Sequence, residues 1–377
     1  MAQINVADTI IAIRKTRDDE KHLPIIDNTR LTAVNTCPRW AGVRYGHNKI
    51  MGSGTSRALA LEVGTALHHS FGAIRLHQLA RNGYVDHAMH HARRLFPRDG
   101  AYEEARSIIN AASSTNEGDL TALRELGLFG IEYSRYEDDE KDKKRTRVNM
   151  EEAIIKYANR YNLSNRIWVS KQDKPEATVG IEIPFDVIID IRARPGVLFS
   201  NYTTSPLGDE GKQIRFVGRL DGLVFDSGDN LLLEENKTTA QINATWITQW
   251  EMSHQLTGYI VVARQFAMLS CEAAEVIGLA IPQPKTSPYD GLVRVPATRS
   301  ASRVNQWLQW FVNSVLDFED ATAAPLEAAT FTHSCTRYFR ECSMLPLCAS
   351  DREEQEDIFN NQMTIQEWNP LSEDVAE

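Results

Sequence analysis

Asp221 sits between Leu220 and Leu223, with Gly218 and Gly222 nearby, and Glu235, Asn236 and Lys237 close a run of leucines at 231–233. The two stretches involved, 215–226 (RFVGRLDGLVFD) and 231–239 (LLLEENKTT), are patterned as strands, and Ser227-Gly228-Asp229-Asn230 between them has turn composition. A β-hairpin is the expected result. Side chains alternate along a strand, so Glu235 and Lys237 share a face and the hairpin can bring Asp221 beside Glu235. Two carboxylates held close repel unless a proton or a cation joins them. Their oxygens suit magnesium or manganese. Such an ion lowers the pKa of a bound water and offsets charge on a leaving oxygen. A neighbouring ammonium can orient the nucleophile or stabilise a charged transition state. That set serves phosphodiester hydrolysis. The same spacing fits an Asp/Glu/Lys ion-pair cluster on an exposed hairpin, and the hairpin alone leaves both readings open.

Two further pairs bear on the choice. Gly64 and His68 lie one helical turn apart, as do Gln255 and Tyr259 on a helix just after the hairpin. A lone helical His or Tyr is most often a satisfied core residue. Taken in order, Gly64-x-x-x-His68, Asp221, Glu235-Asn236-Lys237 and Gln255-x-x-x-Tyr259 resemble the PD-(D/E)XK nuclease superfamily, and more narrowly its RecB-like branch. The motifs span residues 64–259. The resemblance implies an α/β, restriction-endonuclease-like core, a central mixed sheet flanked by helices. It implies that Asp221, Glu235 and the backbone carbonyl of Asn236 bind metal, with His68 as a further contact. Lys237 would aid catalysis, and Gln255 and Tyr259 would contact the DNA strand. Glu182, on the preceding strand, is a candidate extra acidic ligand, with solvation at the sheet edge as the equal alternative.

The chain has five cysteines. No signal peptide is visible at the N-terminus, so a cytoplasmic setting is expected, where structural disulfides are rare. Cys335-x6-Cys342-x5-Cys348 therefore reads as metal ligation before disulfide, with Cys37 a candidate fourth thiolate 298 residues away. Some RecB-like nucleases (helicase-associated, CRISPR-adaptation and phage relatives) hold a 4Fe–4S cluster with one N-terminal and three C-terminal cysteines. The resemblance implies the same cluster here, although the spacing is wider than the C-x2-C of several relatives. By count, four thiolates suit structural zinc equally, and unligated thiols are the plain alternative. Cys271 is expected to be a small buried residue.

Periodicity supplies the elements that must hold these residues. Helical spacing predicts helices over 57–79, 85–96, 101–136, 149–161, 246–269 and 303–318. Strand patterning covers 179–189, the two hairpin arms and 275–282. The order predicts an α/β core with a helical insertion. The divisions are an N-terminal segment with Cys37 (1–56), a helical region with the His68 helix (57–165), a nuclease core (166–285), a C-terminal helical and cysteine segment (286–348) and an acidic tail (349–377). Residues 80–165 match no motif.

Composition narrows the class. Of the 377 residues, 42% are hydrophobic and 24% charged, which is globular usage and excludes a disordered chain. No membrane span or repeat is visible. The formal net charge is −10, of which −8 falls in 349–377, so the body is nearly neutral and a generic nucleic-acid binder is disfavoured. The body can still carry a basic groove, and the tail reads as a solvated appendage. His87, His90 and His91, followed by Arg93 and Arg94, read as a solvated or DNA-facing helix, and Trp307 and Trp310 as packing residues. Gly52-Ser-Gly-Thr lacks the Lys-Ser/Thr of a phosphate loop, so no helicase motor is expected. The expectation is a stand-alone, Mg2+- or Mn2+-dependent DNA nuclease, an exonuclease in prokaryotic or phage recombination, repair or DNA processing. The alternative is a catalytically silent DNA-binding or scaffold subunit of a larger nucleoprotein assembly. DNA is the expected partner, with a helicase, recombinase or other protein subunit as a further one, and no membrane.

Overall fold

A computed structural model gives the structure of the protein and describes residues 2–6, 9–51, 59–98, 100–113, 120–161, 167–168, 180–193, 211–267, 271–283, 291–330, 335 and 341–370. The strands are β1 (Ala2–Val6), β2 (Thr9–Lys15), β3 (Ile25–Ile26), β4 (Lys49–Ile50), β5 (Ile167–Trp168), β6 (Ile181–Ala193), β7 (Lys212–Phe225), β8 (Leu231–Thr239), β9 (Cys271–Ala280), β10 (Leu292–Thr298) and β11 (Thr364–Ile365). One mixed sheet runs β1-β2-β6-β7-β8-β9-β10, with β3 and β5 also pairing on β7. Its path is antiparallel except at β8–β9, which is parallel. A parallel pair needs a crossover, and a helix supplies it here.

The helices are α1 (Asn28–Thr36), α2 (Pro38–Ala41), α3 (Leu59–Arg81), α4 (Val85–Leu95), α5 (Ala101–Ser113), α6 (Leu120–Tyr133), α7 (Arg147–Tyr161), α8 (Ala244–Thr248), α9 (His254–Ala267), α10 (Ala301–Ala323), α11 (Leu345–Ala349) and α12 (Arg352–Asp357). Strand alternation sorts them into two layers. Leu223, Leu233 and Val276 pack with Leu31 of α1, Leu256 and Ile260 of α9, and Trp307 and Phe311 of α10. Their neighbours Val224, Ile277 and Leu279 face the other way, onto the helices α3 to α7. Each large apolar side chain buried this way contributes ~1.5–3 kcal/mol. The fold is thus α/β, a mixed central sheet flanked by helices. No described helix is long and apolar enough to cross a membrane.

The helix α3 is apolar on nearly every side, as a buried helix must be: Leu67, Phe71 and Ile74 enter one cluster and Ala73, Leu76 and Leu79 another. Gly130 of α6 lets the two backbones touch, since a Cβ there would lie 2.4 Å from the Ser70 nitrogen. This packing fixes the helix that carries His68.

Several boundaries differ from the sequence expectation. The predicted helix over 101–136 is two helices, α5 and α6, with 114–119 outside the described residues. The helix expected over 246–269 is broken. Asn243 caps α8 by accepting the Trp246 N–H at 2.8 Å, a 3-10 turn follows over Gln249–Met252, and extended Ser253 restarts the chain as α9. The strand expected at 275–282 begins earlier, so Cys271 opens β9 and is fully buried rather than lying in a passage before it. Strand patterning predicts neither β1–β2 nor β10, yet they join the sheet, so divisions at 56 and 285 cut one sheet rather than separate units. Pro296 hid β10, but proline is tolerated on an edge strand, which is where β10 lies.

The tail is not a solvated appendage. Within 349–370 it forms α12, a short π-helical turn and β11, which pairs antiparallel with β4. Ile358 and Met363 pack on Val43, and the Trp368 indole donates to Asp27 Oδ2 at 2.8 Å. The apolar positions 358, 363 and 368 among the acids explain the docking.

Candidate metal centre

Five elements converge on one end of the β7–β8 hairpin. The ladder of that hairpin runs only from Phe225↔Leu231 to Gly222↔Glu234. One step on, the Asp221 side chain replaces a ladder acceptor: its Oδ2 takes the Asn236 N–H at 2.7 Å. The strand edge thereby opens around a buried carboxylate. Asp221 Oδ1 remains, 3.7 Å from His68 Nδ1, and Glu182 Oε1 of β6 lies 3.7 Å from the same nitrogen. The ligand atoms of His68, Glu182 and Asp221 all fall within 4.8 Å of one another, the one such set of three or more among the described residues. Donors sharing one octahedral ion at ~2.1 Å lie about 3–4 Å apart, so the set has the scale of a cation site.

Glu235 completes the constellation. It is 1% exposed, and its Oε1 is 2.6 Å from Lys237 Nζ. Its Oε2 is buried without a hydrogen-bond partner, as is Glu182 Oε1. Orphaned anionic oxygens are costly unless a cation or proton meets them. Burial first, and then the Asp221 charge, push the Glu235 carboxyl up to about 7 against the pull of Lys237. Burial works against the His68 imidazolium, but Asp221 and Glu182 outweigh it and push His68 up to about 9. Lys237 is likewise held protonated: Glu235 and Asp221 overcome its burial. The site holds protons that a divalent ion would displace, and an acidic donor set of this kind fits magnesium or manganese.

Glu182 adopts φ +47°, the left-handed region that a non-glycine residue occupies at a cost of ~1–3 kcal/mol. Arg94 of α4 secures this turn by donating to the Glu182 carbonyl, and to the Ile181 carbonyl at 3.2 Å. The strained backbone aims the Glu182 carboxylate at His68 rather than into solvent.

Gln255 and Tyr259 stand as a pair on α9, Gln255 Nε2 donating to the Tyr259 hydroxyl at 3.2 Å. The Tyr259 ring lies in the core against Phe185, while burial and then Glu235 hold its hydroxyl protonated. Its polar end therefore looks toward the carboxylates. Asn236 is buried between Glu235 and Lys237.

One residue of the site lies outside the sequence expectation. Arg75, fully buried on α3, donates to the Asp221 carbonyl at 2.6 Å and to Glu234 Oε1 at 2.9 Å. It braces Asp221 from behind, and Glu234 neutralises it. The available signal was spacing: Arg75 follows His68 by seven residues, two turns along an apolar helix. The histidine-rich helix α4 is not simply solvated. His91 is 8% exposed, and burial, aided by Arg94, pushes its imidazole down to about 3. Trp307 is core, and Trp310 stacks on His254 with ring centroids 3.9 Å apart.

The other cysteines lie elsewhere. Cys37 is the extended residue between α1 and α2. Burial raises its thiol, with Cys342 and Cys335 adding to the rise, and Cys348 is raised by burial with help from Cys37 and Cys342. The Cys342 N–H donates to the Cys335 carbonyl at 2.8 Å. Cys342 and Cys348 pack beside the apolar cluster around Val43, but all four are free thiols and no three of their sulfurs fall mutually within 4.8 Å, so the described residues form no cysteine cluster. Cys271 lies in the sheet core instead.

No protein-family model matches this chain, and no curated protein matches it.

Proposed function

We propose that this protein is a divalent-metal-dependent DNA nuclease of the PD-(D/E)XK type, RecB-like, acting as an exonuclease. The observation that carries the reading is the convergence of His68, Glu182 and Asp221 within 4.8 Å, beside the orphaned Glu235 oxygen and the Lys237 ammonium. The parallel β8–β9 pair, with a crossover helix bearing Gln255 and Tyr259, adds topological support.

His68, Glu182, Asp221 and Glu235, with the Asn236 carbonyl, would hold magnesium or manganese. When bound, such an ion activates water and offsets charge on the leaving oxygen. Lys237, fixed by Glu235, supplies a permanent positive charge where negative charge develops on the phosphorus oxygens. The Tyr259 hydroxyl and Gln255 amide offer hydrogen bonds to the strand. Arg75 keeps the Asp221 backbone from relaxing away from the ion.

Cys37, Cys335, Cys342 and Cys348 are proposed to hold a 4Fe–4S cluster as a structural staple. By count, four thiolates suit a single structural zinc equally, and the metal content of the purified protein decides between them.

The test is digestion of end-labelled linear DNA and closed circular DNA with Mg2+ or Mn2+. Linear DNA should shorten from its ends while the circle survives. Cleavage of the circle would make the protein an endonuclease. No cleavage under either metal would favour a silent DNA-binding subunit.

A further inference from the structure

Beside the metal-ligand set, a cavity of about 400 Å³ opens between β6, β7 and the helices α3, α4 and α6. Glu182 belongs to both places: it lines the cavity, and its carboxylate meets His68 and Asp221. The helix α3 divides its histidines in the same way, His68 to the carboxylates and His69 to the cavity.

The cavity is basic. Arg94, Arg98 and Arg219 line it. The other acid in its wall, Asp186, is already engaged: Arg215 grips both its oxygens at 3.0 and 2.7 Å, and Thr16 donates to it at 2.6 Å. Arg98 donates to the Tyr133 carbonyl at 2.9 Å and keeps its remaining donors. Arg219, two positions before Asp221 on β7, makes no hydrogen bond or ion pair among the described residues. His91 lines the same wall, more than nine-tenths buried, with Nδ1 buried and unpartnered. A buried unpartnered imidazole nitrogen and a guanidinium unpaired among the described residues, around one basic cavity, suit an anion with several acceptor oxygens.

We propose that this cavity is an end-binding pocket, which takes the phosphate monoester of a strand terminus and so sets the end from which the nuclease works. The proposal rests on the nuclease reading for its choice of ligand. A terminal monoester carries up to two negative charges and three acceptor oxygens, more than an internal diester offers. Arg219 presents the planar fork that matches phosphate, and Arg98 and His91 supply further donors. The volume sits near the low end of small-ligand sites, roughly 300–1,000 Å³, which suits one terminal nucleotide and excludes a duplex. Because Glu182 forms the shared wall, a terminus seated there places its neighbouring phosphodiester next to the carboxylates. The helices α4 and α6, in the stretch 80–165 that matches no motif, gain a role as the roof of this pocket.

Binding without cleavage tests the pocket apart from catalysis. Fluorescence anisotropy in EDTA would compare the full chain on internally labelled single strands bearing a 5′-phosphate, a 5′-hydroxyl, a 3′-phosphate or a 3′-hydroxyl. One phosphorylated end should bind at least ~10-fold tighter than its hydroxyl counterpart, the scale of one charge-assisted bidentate contact, and which end it is gives the polarity. Arg219→Gln should erase that preference, and Arg98→Gln, at an exposed position, should reduce it if the first variant folds poorly. Equal binding of all four strands overturns the pocket, as does uniform weakening by Arg219→Gln, which would mark a general phosphate track. Metal-dependent cleavage with no end preference in binding leaves the nuclease standing and removes the pocket. An end preference in EDTA without cleavage under Mn2+ does the reverse.

Discussion

The carboxylate site and the proposed cysteine site are built on different supports. Asp221, Glu235 and Glu182 hang from strands of nine to fourteen residues, and His68 from a 23-residue helix locked by close packing. Three ligand atoms already lie within 4.8 Å there. Cys37 and Cys348 sit beside or within short pieces, α2 of four residues and α11 of five, and no three of the four sulfurs form such a set. Long elements preorganise a site before its ligand arrives. Short ones leave the ligand to do the gathering, and binding free energy then becomes folding free energy. The comparison predicts that damage to the first site stops chemistry and spares the fold, while damage to the second spares chemistry directly and costs the fold.

The largest effect should come from the first site. Asp221→Asn or Lys237→Ala should lower cleavage by ~10²–10³-fold or more, the scale of removing one preorganised charge at a transition state. The thermal midpoint of Asp221→Asn should stay near that of the parent, because the asparagine keeps the volume and the acceptor for the Asn236 N–H, whereas Lys237→Ala also leaves Glu235 without its ion-pair partner and should lower it. Undiminished cleavage by either variant would remove the assigned roles.

At the second site, Cys37→Ala should lower soluble yield and stability. In the chain-entropy picture, closing a loop as long as 37–335 is worth ~5 kcal/mol. Protein purified without oxygen should be brown, with about four irons per chain, and the variant should lose both colour and melting temperature. Cys271→Ala, in the sheet core, removes only one buried sulfur and should leave iron intact. Colourless parent protein with one zinc would keep the staple and discard the cluster.

The two sites were unequally legible in the sequence. The hairpin was readable because β7 and β8 alternate cleanly and the turn at 227–230 is rich in Gly, Asp and Asn, so Asp221, Glu235 and Lys237 fell on one edge by arithmetic. Helical spacing only paired Gly64 with His68 and Gln255 with Tyr259, and the family resemblance is what implied their roles. Arg75 was hidden because a charged residue inside an apolar helix looks like an interruption until its partner Glu234 is seen across the sheet. Arg219 was equally hidden, and Arg94 is expected from the sequence only on a solvated or DNA-facing helix: nothing local says that a histidine-rich helix and the middle of a strand will wall one cavity. Composition misread the tail, since net charge outweighed the few apolar residues that dock it.

Protonation gives a graded version of the first contrast. In metal-free protein, Glu235 is raised to about 7 and His68 to about 9, both above their unfolded values. The folded state therefore binds more protons, and this stabilisation is full below about pH 4.5, then lost as pH rises through 7 and 9. A divalent ion that replaces those protons should recover the loss. The rise in melting temperature caused by saturating Mg2+ should thus be small at pH 5 and grow by pH 8. A shift independent of pH would mean that the ion binds away from these groups.

The smallest effect probes the docked tail. Trp368 packs edge-on against Tyr45, with ring centroids 5.6 Å apart, and its indole N–H reaches Asp27. Asp27 also caps α1 by accepting the Arg30 N–H at 2.8 Å, and burial raises its carboxyl. The helix it caps leads directly to Cys37. Trp368→Phe keeps an aromatic ring against Tyr45 and removes only the donor, leaving one buried carboxylate oxygen short of a partner. That should cost ~1–3 kcal/mol, read as a fall in melting temperature with iron content and cleavage unchanged. Deleting 350–377 should cost more, because Ile358 and Met363 leave the apolar cluster around Val43. If the deletion instead leaves stability untouched and tightens DNA binding at low salt, the tail acts as a detachable acidic screen and its docking contributes nothing to the proposed cysteine site.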